Sequence, residues 1–298
     1  MNPVKNMLVC LDLTYIDPIL IKYADFISET IKANKIYFLH VIQEYALPDK
    51  GSQDLPDTEE LYEIIYSKIK EAVDTDFKKN RPFGIETRVE TEDASAAIID
   101  FAAETETDLL LVGQKYGSNR EARYGHKVAS GADCDIMFIP EQAEIRIRKI
   151  LCAIDCSKDA EAAFGRALEI AEATNAEITN YFLYDTAQTY FPSTTASSAN
   201  VAQERFRKEY VKFLERFDQS PESIPCRFRE IDPTENQSEA VYETAQDEKA
   251  DLIVIGASGG IKEPTSLLGN LSKNFYNMET KIPLLIIKNK KSKRFFWI

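Results

Sequence analysis

The chain is written twice. NMLVCLDLT (6–14) and KILCAIDCS (149–157) each read as an apolar strand that runs into an aspartate, and Asp12 and Asp155 stand 143 residues apart. TDLLLVGQ (107–114) and ADLIVIGA (250–257) match in the same way, with Asp108 and Asp251, and Gly113 and Gly256, again 143 apart. One offset held at both ends of a unit marks a tandem duplication, which constrains the fold more than any local propensity does. The 298 residues then divide into a unit over 1–142, a second over 145–290 and a tail over 291–298, with the boundary near 142–145.

Within each unit, apolar runs alternate with helix-like segments. In the first, strands are expected at 7–11, 36–42, 85–90, 108–112 and 135–139, and helices at 18–33, 59–79 and 94–105. In the second, strands are expected at 149–154, 177–184, 226–230, 251–255 and 283–287, and helices at 159–174, 201–218, 236–248 and 266–278. LLLVG and LIVIG are apolar at consecutive positions, as in strands covered on both faces. The fold class is therefore α/β: two repeated doubly wound domains, each a five-stranded, mainly parallel sheet flanked by helices and joined by right-handed crossovers. Two polar connections follow the second strand of each unit, EYALPDKGSQDLPDTEE (44–60) and the Ser/Thr/Ala-rich TYFPSTTASSAN (189–200). The tail NKKSKRFFWI (289–298) is basic and then aromatic, and reads as a solvated end whose rings pack on the protein, ahead of a contact with a partner or a membrane surface.

Charge and cysteine usage narrow the function classes. A formal net charge of −13 argues against a nucleic-acid partner, which calls for a basic face. No apolar run is long enough for a membrane span, and the apolar stretch of MNPVKNMLVCLDL is too short for a signal peptide. Cys10, Cys134, Cys152, Cys156 and Cys226 are irregularly spaced, form no CxxC pair and lie far from His40 and His126. They read as reduced, mostly buried thiols of a cytoplasmic protein, with no metal site.

In a doubly wound sheet, ligands bind outside the carboxyl ends of the strands, where the strand order switches. Asp155 and Gly256 both lie just past such ends, and adjacent first and fourth strands would turn both toward one crevice. The stretch IGASGGIKEPTSLLGNLS (255–272) carries Gly256, Gly259 and Gly269. Glycines let backbone amides approach an anion, and the helix expected after Gly269 offers further free amides, with Asn270 as N-cap and Ser272 as a hydroxyl donor. A loop that needs glycine only for turning would look the same.

These motifs make the chain resemble a tandem universal stress protein, a family of the adenine nucleotide alpha hydrolase-like, Rossmann-like fold. The likeness rests on G-x2-G-x9-G at Gly256, Gly259 and Gly269, on AID at 153–155 and on the closing strand PLLII at 283–287, and it runs over residues 5–289. Asn270 stands where that family has Ser or Thr. The resemblance implies a stress-response or signalling protein that binds ATP, or AMP or ADP in its place, with or without Mg²⁺. Ala153, Ile154 and Asp155 would border the adenosine, and Leu183 would offer backbone to the adenine. Gly256 and Gly259 would line ribose and phosphates, and Gly269, Asn270, Leu271 and Ser272 would hold the phosphates. It also implies an internal pseudo-dimer through the closing strands IMFIP (136–140) and LLIIK (284–288), with a further homodimer open.

The first unit departs from this pattern. Its glycines, Gly113, Gly117 and Gly125, are spaced by three and seven residues, Tyr116 takes the place of the second glycine, and the loop is five residues shorter than its counterpart. Lys115, Arg120, Arg123 and Lys127 make it basic, which reads as a solvated face ahead of an anion site of different geometry. The first unit is expected to bind no nucleotide in the family manner. No catalytic set is visible: there is no Walker loop and no Ser-His-Asp arrangement near the crevice, so slow ATP hydrolysis is the most to expect. Two other readings stand beside this one: an interaction module that binds no nucleotide, and an adenylating enzyme of related fold. The second is disfavoured because SGG follows the fourth strand here, not the first.

Overall fold

A computed structural model describes residues 3–43, 58–78, 84–91, 93–115, 121–184, 197–231, 235–257, 270–276, 278 and 280–288. The chain separates into two compact units, and the change from one to the other falls between Arg146 and Ile147. The first contains β1 (Asn6–Leu11), α1 (Asp17–Thr30), β2 (Lys35–Ile42), α2 (Thr58–Asp76), β3 (Gly84–Thr91), α3 (Ala94–Glu104), β4 (Leu109–Gln114), α4 (Glu121–Gly131) and β5 (Asp135–Pro140). The second contains β6 (Lys149–Ala153), α5 (Lys158–Thr174), β7 (Glu177–Tyr184), α6 (Ser197–Glu215), β8 (Cys226–Glu230), α7 (Gln237–Asp247), β9 (Leu252–Gly256), α8 (Asn270–Tyr276) and β10 (Leu284–Ile287).

Each unit is a parallel sheet with its strands ordered 3-2-1-4-5: β3-β2-β1-β4-β5 in the first and β8-β7-β6-β9-β10 in the second. The central strands are apolar throughout because both faces are covered. On β2, Tyr37 meets Phe101 of α3 edge-on at 5.5 Å, while the next residue, Phe38, meets Phe77 beyond α2 at 5.7 Å. Side chains alternate across a strand, so these two contacts bury opposite faces. In the second unit Phe182 stacks on Phe206 of α6, and the hydroxyl of its neighbour Tyr181 donates to Ala240 O of α7 at 3.4 Å.

The duplication extends to the backbone. Leu13 and Cys156, Lys32 and Asn175, and Glu106 and Lys249 are pairs 143 apart, and all six take positive φ between 49° and 58°, or 60° for Leu13. The repeated aspartate before the fourth strand also has one task in both units. Asp108 Oδ2 accepts from Lys5 N and Asn6 N at 2.8 and 3.1 Å, and Asp251 Oδ2 accepts from Arg148 N and Lys149 N at the same two distances. Each carboxylate fastens the entry of the unit's first strand to that of its fourth.

Two expectations need correction. The stretch read as a basic loop contains α4, so Arg123 and Lys127 lie on a helix; few apolar residues and two glycines conceal a short buried stripe at Val128 and Ala129. Helix α6 begins at Ser197, inside the stretch read as a connection. Residues 44–57, 189–196 and the tail 291–298 lie outside the described residues, as do Tyr116, Gly117 and Arg120.

Candidate functional site

The switch in strand order falls between β6 and β9, which pair directly, with Ala153 opposite Ile255. Ala153 also stands opposite Tyr181 on β7, so the carboxyl ends of β6, β7 and β9 lie side by side, where a doubly wound sheet offers its crevice. Ala153 is half-buried, Ile154 is buried and donates its amide to Tyr181 O at 2.9 Å, and Asp155 is exposed at the mouth. Leu183, the penultimate residue of β7, is half-buried. These four residues and Gly256 stand at or just past the carboxyl ends of three adjacent strands. Gly259 and Gly269 lie outside the described residues, and Asn270 is described only as the first residue of α8.

The loop from Asp155 to Ala160 is shaped by its own side chains. Cys156 takes φ 58°, and Asp155 Oδ1 accepts from Ser157 N at 2.9 Å. Ser157, and not Asp155, is the N-cap of α5: its hydroxyl accepts from Ala160 N at 3.2 Å. Capping is therefore done without Asp155, and its carboxylate remains at the rim. Burial, reinforced by the Asp155 charge, pushes the Cys156 thiol up to about 12, which makes it a poor nucleophile at neutral pH.

Two motif residues have packing roles. A Cβ on Gly256 would lie 3.1 Å from the carbonyl carbon and oxygen of Asp159, in the first turn of α5. That is a tight approach to backbone, which has to give by a few tenths of an ångström to admit a Cβ. Ser272 is buried, and its hydroxyl donates to Gly256 O at 3.2 Å and Ala257 O at 3.1 Å. It ties α8 to the end of β9, while Leu271 O accepts from Ser238 Oγ of α7 at 3.2 Å. Spacing alone does not separate such a tether from a phosphate ligand; the only sequence signal is that Ser272 falls on the inner side of a short helix.

The equivalent loop of the first unit has different chemistry. Asp17 stands where the second unit has Ala160, and its carboxylate accepts from two successive amides, Asp12 N at 3.2 Å and Leu13 N at 2.8 Å. Leu13, with φ 60°, repeats the left-handed turn of Cys156. Successive amides turned this way form a small concavity for an anion, and here the chain fills it with its own carboxylate. Asp12 in turn is held by Thr14 Oγ1, which donates to Oδ1 at 2.6 Å, and by the ammonium of Lys115 from the end of β4. His40, at the same end of β2, donates from Nδ1 to Leu11 O at 2.9 Å, and burial lowers its pKa. Sequence reasoning missed Asp17. Its signal was a carboxylate at a position where the other repeat has alanine.

Further on, Gly113 repeats Gly256, but a Cβ there would meet only the side chain of Ile16, at 3.0 Å. Register confirms the shortened loop: Gly113 stands opposite Ile139 and Gly256 opposite Ile287, so the first unit's return is five residues shorter.

The model of the universal stress protein family matches the chain twice, over residues 3–140 and 146–288. The chain belongs to the universal stress protein family. Its fold is shared by a functionally unknown protein from Pseudomonas aeruginosa PAO1, at 15% identity and TM-score 0.66 over 96% of this chain and 93% of that one. A universal stress protein from Archaeoglobus fulgidus DSM 4304 matches at 15% identity and TM-score 0.62 over 95% of this chain and 96% of that one. A universal stress protein solved in complex with cAMP covers 47% of this chain and 99% of its own length, at 16% identity and TM-score 0.36. Curated proteins give no match. This tandem universal stress protein has, among its described residues, no helix long and apolar enough to cross a membrane and no cluster of His, Cys, Asp or Glu fit for a metal ion.

Proposed function

We propose that this universal stress protein binds one adenine nucleotide, ATP or its AMP or ADP relative, in the crevice of the second unit, and serves in a stress response or in signalling. The observation that carries the reading is the contrast at one position. Asp17 fills the amide concavity of the first unit, whereas Ala160 brings no carboxylate to the same turn in the second. The family's glycine spacing is also retained only in the second unit.

In this reading Asp155 accepts hydrogen bonds from the ribose hydroxyls, and the backbone at Leu183 meets the adenine edge. Ala153 and Ile154 form the floor. The backbone at Gly256, Gly259, Gly269 and Asn270 serves the phosphates. Ser272 and Leu271 act one step back, by fixing α8 against β9 and α7. A bound Mg²⁺ would offset phosphate charge beside the acidic rim. Slow ATP hydrolysis is the most this reading includes.

Mass spectrometry of small molecules released from the purified protein is expected to find an adenine nucleotide, and calorimetry one site per chain. Asp155→Ala should weaken binding by about ten-fold or more, the usual cost of a charge-assisted hydrogen bond. Unchanged affinity in that variant, or two equivalent sites, would refute the assignment.

A further inference from the structure

The two units end in outer strands of opposite charge order. β3 pairs only with β2, and β8 only with β7. An outer strand turns unpaired amides and carbonyls to the edge, and a chain that stays single has to blunt them. In β8 the blunting is visible. Asn180 N donates to Pro225 O, so Cys226, Phe228 and Glu230 turn their backbone groups outward. A second copy lying antiparallel on β8, about a two-fold axis at Phe228, would set Arg227 against Arg229 of that copy. Arg227 already pairs with Glu248 at 2.7 Å and Arg229 with Glu243 at 3.2 Å, so neither gains from a further arginine.

In β3 the order favours self-pairing. Gly84 N donates to Asn34 O at 3.1 Å, so Ile85, Thr87 and Val89 turn their backbone groups outward. Ile85 is 44% exposed at this edge. Between these residues stand Glu86 and Arg88, whose side chains meet at 2.6 Å, with Lys35 Nζ at 2.7 Å from Glu86. In an antiparallel ladder only outward-facing residues form hydrogen-bonded pairs. An axis at Thr87 meets that rule along the strand: Thr87 faces its own copy and Ile85 faces Val89. The closer, non-hydrogen-bonded pairs then join Glu86 to Arg88 twice, and four charges alternate around a square. An axis at Glu86 or at Arg88 sets that residue against its own copy, and one at Ile85 or Val89 pairs a shorter length of strand.

We propose that β3 is the edge through which two copies of this chain associate, antiparallel about a two-fold axis at Thr87, with Glu86 and Arg88 fixing the register. Opposite charges placed across neighbouring strands attract, and like charges in the same places repel. The contact is isologous, so it closes on itself at two copies. One strand pair falls below the area of about 1,200 Å² at which standard interfaces begin, so the association is weak and reversible. It uses no residue of the nucleotide crevice and does not depend on nucleotide binding.

Sedimentation velocity of the full chain at rising concentration should show a monomer passing to a dimer, with a Kd in the micromolar to millimolar range. Arg88→Glu and Glu86→Arg should each raise that Kd by about ten-fold or more, since each sets like charges against each other. An equimolar mixture of the two variants should recover the wild-type Kd, because every facing pair is then opposite in charge. That recovery also shows that both variants are folded. Thr87→Cys should cross-link to its own copy under oxidised glutathione, since a hydrogen-bonded antiparallel pair holds its Cα atoms about 5.5 Å apart, within disulfide reach. Thr91→Cys, well off the axis, should link no faster than the wild type, whose five cysteines are free thiols. A monomer at every concentration, a dimer indifferent to both charge reversals, a mixture that recovers nothing, or linking no faster in Thr87→Cys than in Thr91→Cys would each overturn the proposal.

Discussion

The loops Asp12–Asp17 and Asp155–Ala160 begin alike and end differently. Both leave the first strand of their unit at an aspartate and turn through a left-handed residue, Leu13 or Cys156. In the first unit the loop closes on the buried Asp17 carboxylate. In the second it closes on the Ser157 hydroxyl and keeps Asp155 at an exposed rim. What the two units share is scaffold: the staples of Asp108 and Asp251 and the close approaches at Gly113 and Gly256. What they do not share marks the places where ligand chemistry can differ. A duplicated chain thereby carries its own control, since a residue kept in both units is explained first by packing.

The largest contrast between the units should come from nucleotide itself. A ligand at a hundred times its Kd stabilises the state that binds it by about 2.7 kcal/mol. With ATP added, hydrogen-exchange protection should rise around β6, β7 and β9 and stay unchanged around β1, β2 and β4. Equal protection of both units would remove the distinction between the two loops, and protection confined to the first would invert it.

A contrast of similar size is expected at the paired glycines. The Cβ of Gly256→Ala would press on Asp159 backbone, which cannot move without shifting α5, whereas Gly113→Ala would press on the side chain of Ile16, which can adjust without moving backbone. Overpacking against fixed backbone costs about 1–3 kcal/mol, and the stiffer unfolded chain returns part of that in both variants. Urea unfolding should show Gly256→Ala to be the more destabilised by at least about 1 kcal/mol. Equal losses would mean that the two approaches are equally tight.

The strands and the duplication were legible in the sequence because consecutive apolar residues and the 143-residue offset report burial and repetition directly, and adjacent first and fourth strands were expected from the topology, whereas the full strand order comes from the pairing. Helix α4 was not, because its buried stripe is short and its composition polar. The roles of Ser157 and Ser272 were illegible for a different reason. A hydroxyl that caps a helix, tethers a strand or meets a phosphate has the same one-letter code, and only the direction it faces separates these uses. Asp17 hid in the same way: its task depends on a turn at Leu13 that no propensity announces. The first-unit loop, by contrast, was readable as altered because its length and glycine spacing could be set against the second copy.

The symmetric pair supplies a baseline for these differences. Asp108→Ala and Asp251→Ala each remove one acceptor of two backbone amides with matched geometry. Each should cost about 1–2 kcal/mol, because the amides are partly open to water. The two losses should agree within about 0.5 kcal/mol, and being far apart in sequence and in different units they should add in the double variant. A large inequality would show that matched hydrogen bonds do not make the two scaffolds equivalent.

The smallest predicted effect is a difference in pH dependence between the units. Asp17 is raised to about 6 from an ordinary 3.8, chiefly by burial, so the folded state holds its proton more tightly than the unfolded chain does. The stabilisation from that proton is complete below 3.8 and is lost as pH rises through about 6. Relative to Asp17→Asn, the wild type should therefore gain about 1 kcal/mol between pH 7 and pH 5. Ala160 has no proton to offer, so the gain should appear in exchange protection of the first unit and be absent from the second. Parallel pH profiles for wild type and Asp17→Asn would mean that the two amides hold the carboxylate in its charged form strongly enough to cancel the effect of burial, leaving the first-unit loop a fixed structural turn.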